Sequence, residues 1–140
     1  MTSKIYYQGD LRTEATHLAS QSVITTDAPI DNNGKGEMFS PTDLVATSLA
    51  SCMLTIMGIT ANTHKLQITN SYAEVTKIMT TNPRRIGKIV VNIYIVGQES
   101  YSQKEQMILK HAAMTCPVFE SLHPDIEKVI TFYFNDVEEN

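Results

Sequence analysis

The sequence predicts an α+β fold in which an antiparallel sheet wraps a central buried helix. Three observations point to it. Short β-branched and aromatic runs bounded by Gly, Asn, Asp and Pro lie on both sides of one long stretch, residues 41–61, that is apolar nearly all round. The elements run in the order three strands, long helix, two strands, helix, short helix, strand, without the regular strand–helix alternation of a doubly wound fold. At 140 residues the chain is expected to form a single domain, 1–140, large enough to bury a core without staples.

Residues 4–7 and 12–17 flank Gln8-Gly9-Asp10, a Gly-containing turn, and so read as a hairpin; residues 22–26 follow as a third strand. Residues 27–36 are dense in turn formers with no apolar period, which predicts a long mobile loop. Ser40 is placed to cap a helix, with Pro41 at its first position and Asp43 completing a capping box in place of Glu. That helix should run from Pro41 to about Ala61, with Val45, Leu49, Cys52, Ile56 and Ile59 forming one stripe. Leu44, Met53, Leu54 and Met57 spread apolar surface to its other sides, so burial is expected all round. Residues 66–77 and 88–96 read as strands joined through the turn Asn82-Pro83-Arg84-Arg85. Ser102 and Glu105 form a second capping box, opening a helix that continues to about Met114. Pro117 starts a short helix ending before Pro124, and residues 129–135 close the fold as a strand.

With 42% hydrophobic and 19% charged residues the chain is neither disordered nor membranous in composition. No apolar run is expected to reach the roughly 20 residues that span a bilayer. The formal net charge of −4, with Lys and Arg scattered, gives no footprint for nucleic acid or an anionic membrane. The first six residues have no apolar stretch of signal-peptide type, so a cytoplasmic location is expected. In that compartment structural disulfides are rare, and two cysteines point to free, catalytic or metal-bound thiols. The expected partners are small molecules or a second copy of the chain.

The two cysteines sit in different settings. Cys52 lies part-way along the apolar helix, where burial would leave a lone thiol inert, while Cys116 precedes a proline at a helix start, where thiols ionise more readily. On the residues alone Cys116 is the more reactive. His17, His64, His111 and His123 have no ligand spacing, so no metal site is expected. His111 is expected to be partly exposed, Arg84 and Arg85 to be solvated turn residues, and Met53, Met57, Met107 and Met114 to fill the core.

Three segments, Gly9-Asp10-Leu11-Arg12-Thr13-Glu14, Phe39-Ser40-Pro41-Thr42-Asp43-Leu44-Val45-Ala46-Thr47-Ser48-Leu49-Ala50-Ser51-Cys52 and Ala113-Met114-Thr115-Cys116-Pro117-Val118, resemble in order and spacing the OsmC/Ohr family of osmotically inducible and organic hydroperoxide resistance proteins. The resemblance is closer to the broad OsmC-like branch. It implies an OsmC-like fold, an intertwined homodimer and a thiol-dependent peroxidase acting on hydroperoxides, preferably organic ones. It also implies Cys52 as the attacking thiol, Cys116 as the resolving thiol and Arg12 as the activating arginine. No resident cofactor is implied, but an external dithiol must close the cycle. An arginine suits that role because it keeps its proton and its planar fork can hold both a thiolate and a peroxide oxygen. One departure stands out: the better-studied members of the family carry Glu directly after the proline of the second segment, and here that position is Thr42. Asp43 and Glu37 are the remaining candidates to orient Arg12. The alternatives are a non-enzymatic protein of the same fold that binds a small apolar ligand or senses redox state, and a dimeric domain whose cysteines only pack.

Overall fold

Strand β1 (Ser3–Gly9), β2 (Arg12–His17) and β3 (Val23–Asp27) form an antiparallel sheet in that order. The computed structural model, which describes residues 1–139, places the β1–β2 reversal at Asp10 and Leu11, both at positive φ (51° and 61°). Two such residues make the twisted tight turn that a two-residue hairpin needs. Arg12 is therefore the first residue of β2, paired across the sheet with Asp27.

The segment after β3 is not the structureless loop its composition suggests. A 3₁₀ turn spans Ile30–Asn32, the Gly34 N–H donates to the Pro29 carbonyl at 2.9 Å, and the Gly36 N–H donates to that of Ala28 at 3.2 Å. A Cβ on Gly34 would collide with the Ala28 backbone, so only glycine lets the loop close on itself. Helix α1 (Pro41–His64) opens with the expected capping box: the Asp43 N–H donates to Ser40 Oγ at 3.0 Å and the Ser40 N–H to Asp43 Oδ2 at 2.9 Å. It runs one turn further than expected. The stop is local, with Lys65 at φ 58° and the Leu66 N–H returning to the Ala61 carbonyl at 2.9 Å.

The chain forms two compact units, residues 1–45 and 46–140, whose boundary falls inside α1. In the second unit β4 (Tyr72–Thr80), β5 (Arg85–Ile95), β6 (Glu127–Phe134) and β7 (Val137–Glu139) form a sheet in sequence order. The expected purely antiparallel arrangement is corrected here, because β5 and β6 run parallel. Helices α2 (Gln103–Met114) and α3 (Pro117–Ser121) supply the crossover that a parallel pair requires. The expected strand over 66–77 also starts later, since Asn70 at φ 70° and a Ser71 N–H to Ile68 carbonyl bond hold 66–71 in a turn. Helix α2 carries its capping box between Ser102 and Glu105.

Burial on α1 follows a different stripe from the one read off the sequence. Leu49, Met53 and Met57 are fully buried, with Ala46, Ala50 and Ala61 beside them, whereas Val45 and Ile59 are exposed. The helix turns its small residues and methionines into the core cluster that also holds Ile89, Val91 and Ile93 of β5 and Phe134 of β6. Met107 and Met114 of α2 are exposed rather than core. With 24 residues and a mean hydropathy of 1.8 over its best window, α1 is long and apolar enough to cross a membrane, contrary to expectation, because its Ser and Thr interrupt apolar runs at little cost in hydropathy. In this fold its inner face is core. On the outer face of the second sheet Tyr72, Tyr94 and Tyr133 stack across three strands, with ring centroids 4.6 and 4.7 Å apart.

Candidate functional site

In the first unit, strand pairing builds an arginine site. Arg12 and Asp27 lie opposite each other on β2 and β3, and their side chains meet as a two-pronged pair: Nε donates to Oδ1 at 2.7 Å and Nη2 to Oδ2 at 2.8 Å. Nη2 gives its other hydrogen to Oε2 of Glu37 at 2.7 Å. Asp27 is 1% exposed, Arg12 26% and Glu37 63%. The guanidinium holds the Asp27 carboxyl below its ordinary range, and the two carboxylates hold Arg12 above its ordinary value. The loop is tied into the same site, since the Glu37 N–H donates to Asp27 Oδ2 at 3.2 Å and the Asp27 N–H to the Phe39 carbonyl at 3.2 Å.

Of the two carboxylates proposed from sequence to orient Arg12, Glu37 reaches it and Asp43 serves the α1 cap. Thr42 also joins the cap, with its Oγ1 3.1 Å from Ser40 Oγ. Asp27 was not foreseen. The signal was present: had the third strand been extended by one residue, the hairpin register would have set an Asp directly across from Arg12.

In the second unit the two cysteines come together. Cys52 is half-buried on α1 and packs against the core, Cys116 is fully buried, and both are free thiols. The two thiols are near enough to act on each other electrostatically. Cys116 is also the N-cap of α3, its Sγ accepting from the Phe119 N–H at 3.3 Å. Burial pushes the Cys116 thiol up, the Phe119 N–H offsets part of the rise, and the neighbouring Cys52 adds to it. This reverses the reading of Cys116 as the readily ionised cysteine. A five-residue helix is a weak dipole, and the apolar surroundings outweigh it.

A cavity of about 670 Å³ opens between α1 and α2. Ile56, one turn beyond Cys52, Thr115, next to Cys116, and Ile108 and Met107 line it, with His64 and His111 among the polar groups. Elsewhere the histidines serve local structure: His17 pairs with Ser20 and His123 with the Asp125 backbone. Among the described residues no cluster of three or more His, Cys, Asp or Glu is arranged to hold a metal ion.

A family model described as OsmC-like protein matches residues 34–130, a span that holds both cysteines and leaves out Arg12 and Asp27. The chain belongs to the OsmC-like family. A crystal structure from Psychrobacter arcticus 273-4, described provisionally as an osmotic stress induced and detoxification response protein, is 52% identical, covers 95% of this chain and 96% of its own, and superposes with a TM-score of 0.90. An OsmC like protein from Mycoplasma pneumoniae is 19% identical over 94% of both chains, with a TM-score of 0.78. An organic hydroperoxide resistance protein OsmC from Legionella pneumophila is 14% identical over 94% of this chain and 96% of its own, with a TM-score of 0.73. At those lower identities the likeness is one of fold. Among curated proteins no sequence matches the chain. The OsmC-like chain thus shares its fold with proteins described as organic hydroperoxide resistance proteins.

Proposed function

We propose that this OsmC-like chain is a thiol-dependent peroxidase for organic hydroperoxides. The observation that carries the reading is the nearness of Cys52 and Cys116, 64 positions apart in sequence, at one core cluster where each thiol influences the other. The Cys52 thiolate attacks the terminal peroxide oxygen, the O–O bond breaks, and the alkoxide leaves and takes a proton to become the alcohol. Cys52 is left as a sulfenic acid. The Cys116 sulfur then attacks the Cys52 sulfur, the S–OH bond breaks, and hydroxide leaves as water once it takes the Cys116 proton. An external dithiol reduces the resulting disulfide and returns both thiols.

In this reading Arg12 stabilises the Cys52 thiolate and the departing alkoxide, and it comes from the same chain or from the partner in a homodimer. Support for the dimer comes from the exposed apolar side chains, among them Ile5, Tyr7, Ile24, Phe39, Val45 and Ile59, which a second copy would cover. Support for an organic substrate comes from the cavity between α1 and α2, whose lining includes Thr115, the chain neighbour of Cys116, and Ile56, one turn from Cys52, with Ile56, Ile108 and Met107 suited to an alkyl chain.

The test is steady-state turnover of several hydroperoxides with a dithiol donor, in wild type and Cys52→Ser. Catalytic turnover lost in Cys52→Ser is expected. A second reading, a redox sensor that oxidises once and does not cycle, is favoured by the raised Cys116 thiol, which slows the resolving step. Disulfide formation by stoichiometric peroxide without turnover at any dithiol concentration would select it.

A further inference from the structure

Arg12 is held by two carboxylates that differ in every physical respect. Asp27 is 1% exposed, sits on the strand paired with β2, and takes one complete edge of the guanidinium, Nε and Nη2 together, at 2.7 and 2.8 Å. Glu37 is 63% exposed, sits on the loop after β3, and takes a single Nη2 hydrogen at 2.7 Å. That hydrogen belongs to the second edge of the guanidinium, shared with Nη1, and among the described residues no hydrogen bond engages Nη1. One edge is thus fixed by a buried partner whose position the sheet dictates. The other is half covered by an exposed partner that water can replace.

The two carboxylates are also linked. The Glu37 N–H donates to Asp27 Oδ2 at 3.2 Å, so moving the Glu37 side chain does not release its backbone from the site. Loop 28–36 is closed by its own hydrogen bonds to the Pro29 and Ala28 carbonyls. A side-chain rotation at residue 37 is therefore enough to free the second edge, with no rearrangement of the loop. An Arg fork with one edge anchored and one edge open is the geometry that binds a further anion in two-pronged fashion.

We infer that Asp27 is the positioning residue that keeps Arg12 oriented throughout the cycle, and that Glu37 is an exchangeable carboxylate covering the second edge of the fork until the reacting oxygen or thiolate takes its place. This rests on the peroxidase reading. It replaces the carboxylate lost at Thr42 by one on β3, and it divides between two residues the holding and the yielding that a single exposed carboxylate would have to combine.

The two roles give opposite signs on substitution. Asp27→Asn keeps the shape and loses the charge, so kcat/KM should fall at least tenfold, mainly in kcat, and the pH midpoint of Cys52 alkylation should rise. Glu37→Gln removes a competitor for the second edge, so kcat/KM should rise a few-fold, mainly through a lower KM. Asp27→Glu keeps the charge but displaces it by one methylene, and should recover part of the loss if the chain carries it. Nitrogen-15 NMR of the Arg12 Nε–H supplies a readout that needs no catalysis: slow solvent exchange in wild type and Glu37→Gln, fast exchange in Asp27→Asn. Equal losses in Asp27→Asn and Glu37→Gln, or a wild-type Nε–H signal and alkylation profile in folded Asp27→Asn, would overturn the inference. If wild type fails to turn over peroxide, the peroxidase reading falls while the Nε–H and alkylation measurements still decide the role of Asp27. Should Asp27→Asn fail to fold, Asp27→Glu and Glu37→Gln carry the test, and a loss of activity in Glu37→Gln refutes it.

Discussion

Replacing Cys116 by Ala separates the resolving role from the structural one. The residue is fully buried, so the substitution removes one packed heavy atom, a change similar to Ile→Val that costs about 1 kcal/mol. It also removes the sulfur that accepts from the Phe119 N–H at 3.3 Å, and loss of an N-cap acceptor costs about 0.5 to 1 kcal/mol, at the low end because sulfur accepts weakly. The total, about 1.5 to 2 kcal/mol, corresponds to roughly 5 to 10 °C in Tm for a domain of this size, which leaves the variant folded at room temperature. Its chemistry is then open to a direct measurement. One equivalent of hydroperoxide should consume both thiols in wild type and remove two hydrogens from the intact mass, without joining chains.

In Cys116→Ala the same treatment should add one oxygen to Cys52 as a sulfenic acid that a β-diketone traps, and further peroxide should drive it to the sulfinic acid, which a dithiol does not reverse. Under continuous peroxide and dithiol, wild type should keep cycling while the variant dies. If the wild-type product were instead a stable Cys52 sulfenic acid with the Cys116 thiol intact, proximity would not amount to resolution. If Cys52→Ala reacted with peroxide as fast as wild type, the order of attack would be reversed.

Arg12→Lys keeps a positive charge but gives up the fork that meets Asp27 and Glu37, so peroxide reduction should fall about a hundredfold, checked by turnover alongside Cys52 alkylation against pH. Burial raises the Cys116 thiol above its ordinary value, so this group is mostly protonated near neutrality, and stopped-flow measurement of disulfide formation after a single oxidation should accelerate about tenfold per pH unit until that thiol ionises. Ser40→Ala leaves the Asp43 N–H at the start of α1 without its acceptor and should lower the unfolding free energy by about 1 kcal/mol in urea titrations.

What the sequence made legible was what local chemistry controls. Both capping boxes, at Ser40 and Ser102, were readable because the donor, acceptor and spacing are contiguous. The inward face of α1 was not, because the helix is apolar nearly all round and periodicity then selects no side; only tertiary packing into the core decides that Ala46, Ala50 and Met57 point in while Val45 and Ile59 point out. The parallel β5–β6 pair was missed because strand direction follows from the crossover and leaves no mark in the strands themselves. Arg12 and the two cysteines are named by the resemblance, and Glu37 by its charge. Asp27 was hidden by a one-residue error at the end of β3, the usual scale of uncertainty in an element boundary. The ionisation of Cys116 was misjudged because a helix start is a sequence feature and desolvation is not.

The exchange of a carboxylate for Thr42 makes a last prediction possible. The resemblance implies an acid directly after the proline of the helix start, on a different element from the arginine. In this chain Asp27 and Arg12 are register partners on neighbouring strands, and their separation is set by the backbone hydrogen bonds of the sheet itself. Thr42 is released to the cap, where its hydroxyl lies 3.1 Å from that of Ser40. If β3 has taken over the duty, returning the acid with Thr42→Glu adds a carboxylate to an arginine that already has two, and peroxide turnover should stay within about threefold of wild type, with helix stability changed only by the few tenths of a kcal/mol that an acidic first-turn residue contributes. In an Asp27→Asn background the same substitution should restore a measurable part of the lost activity, because the arginine then has a vacant edge for the new carboxylate to fill. A tenfold gain from Thr42→Glu alone would mean that Asp27 does not stand in for the missing acid. Absence of any rescue in the double variant, with both proteins folded, would mean that the orientation of Arg12 is not what the acid supplies.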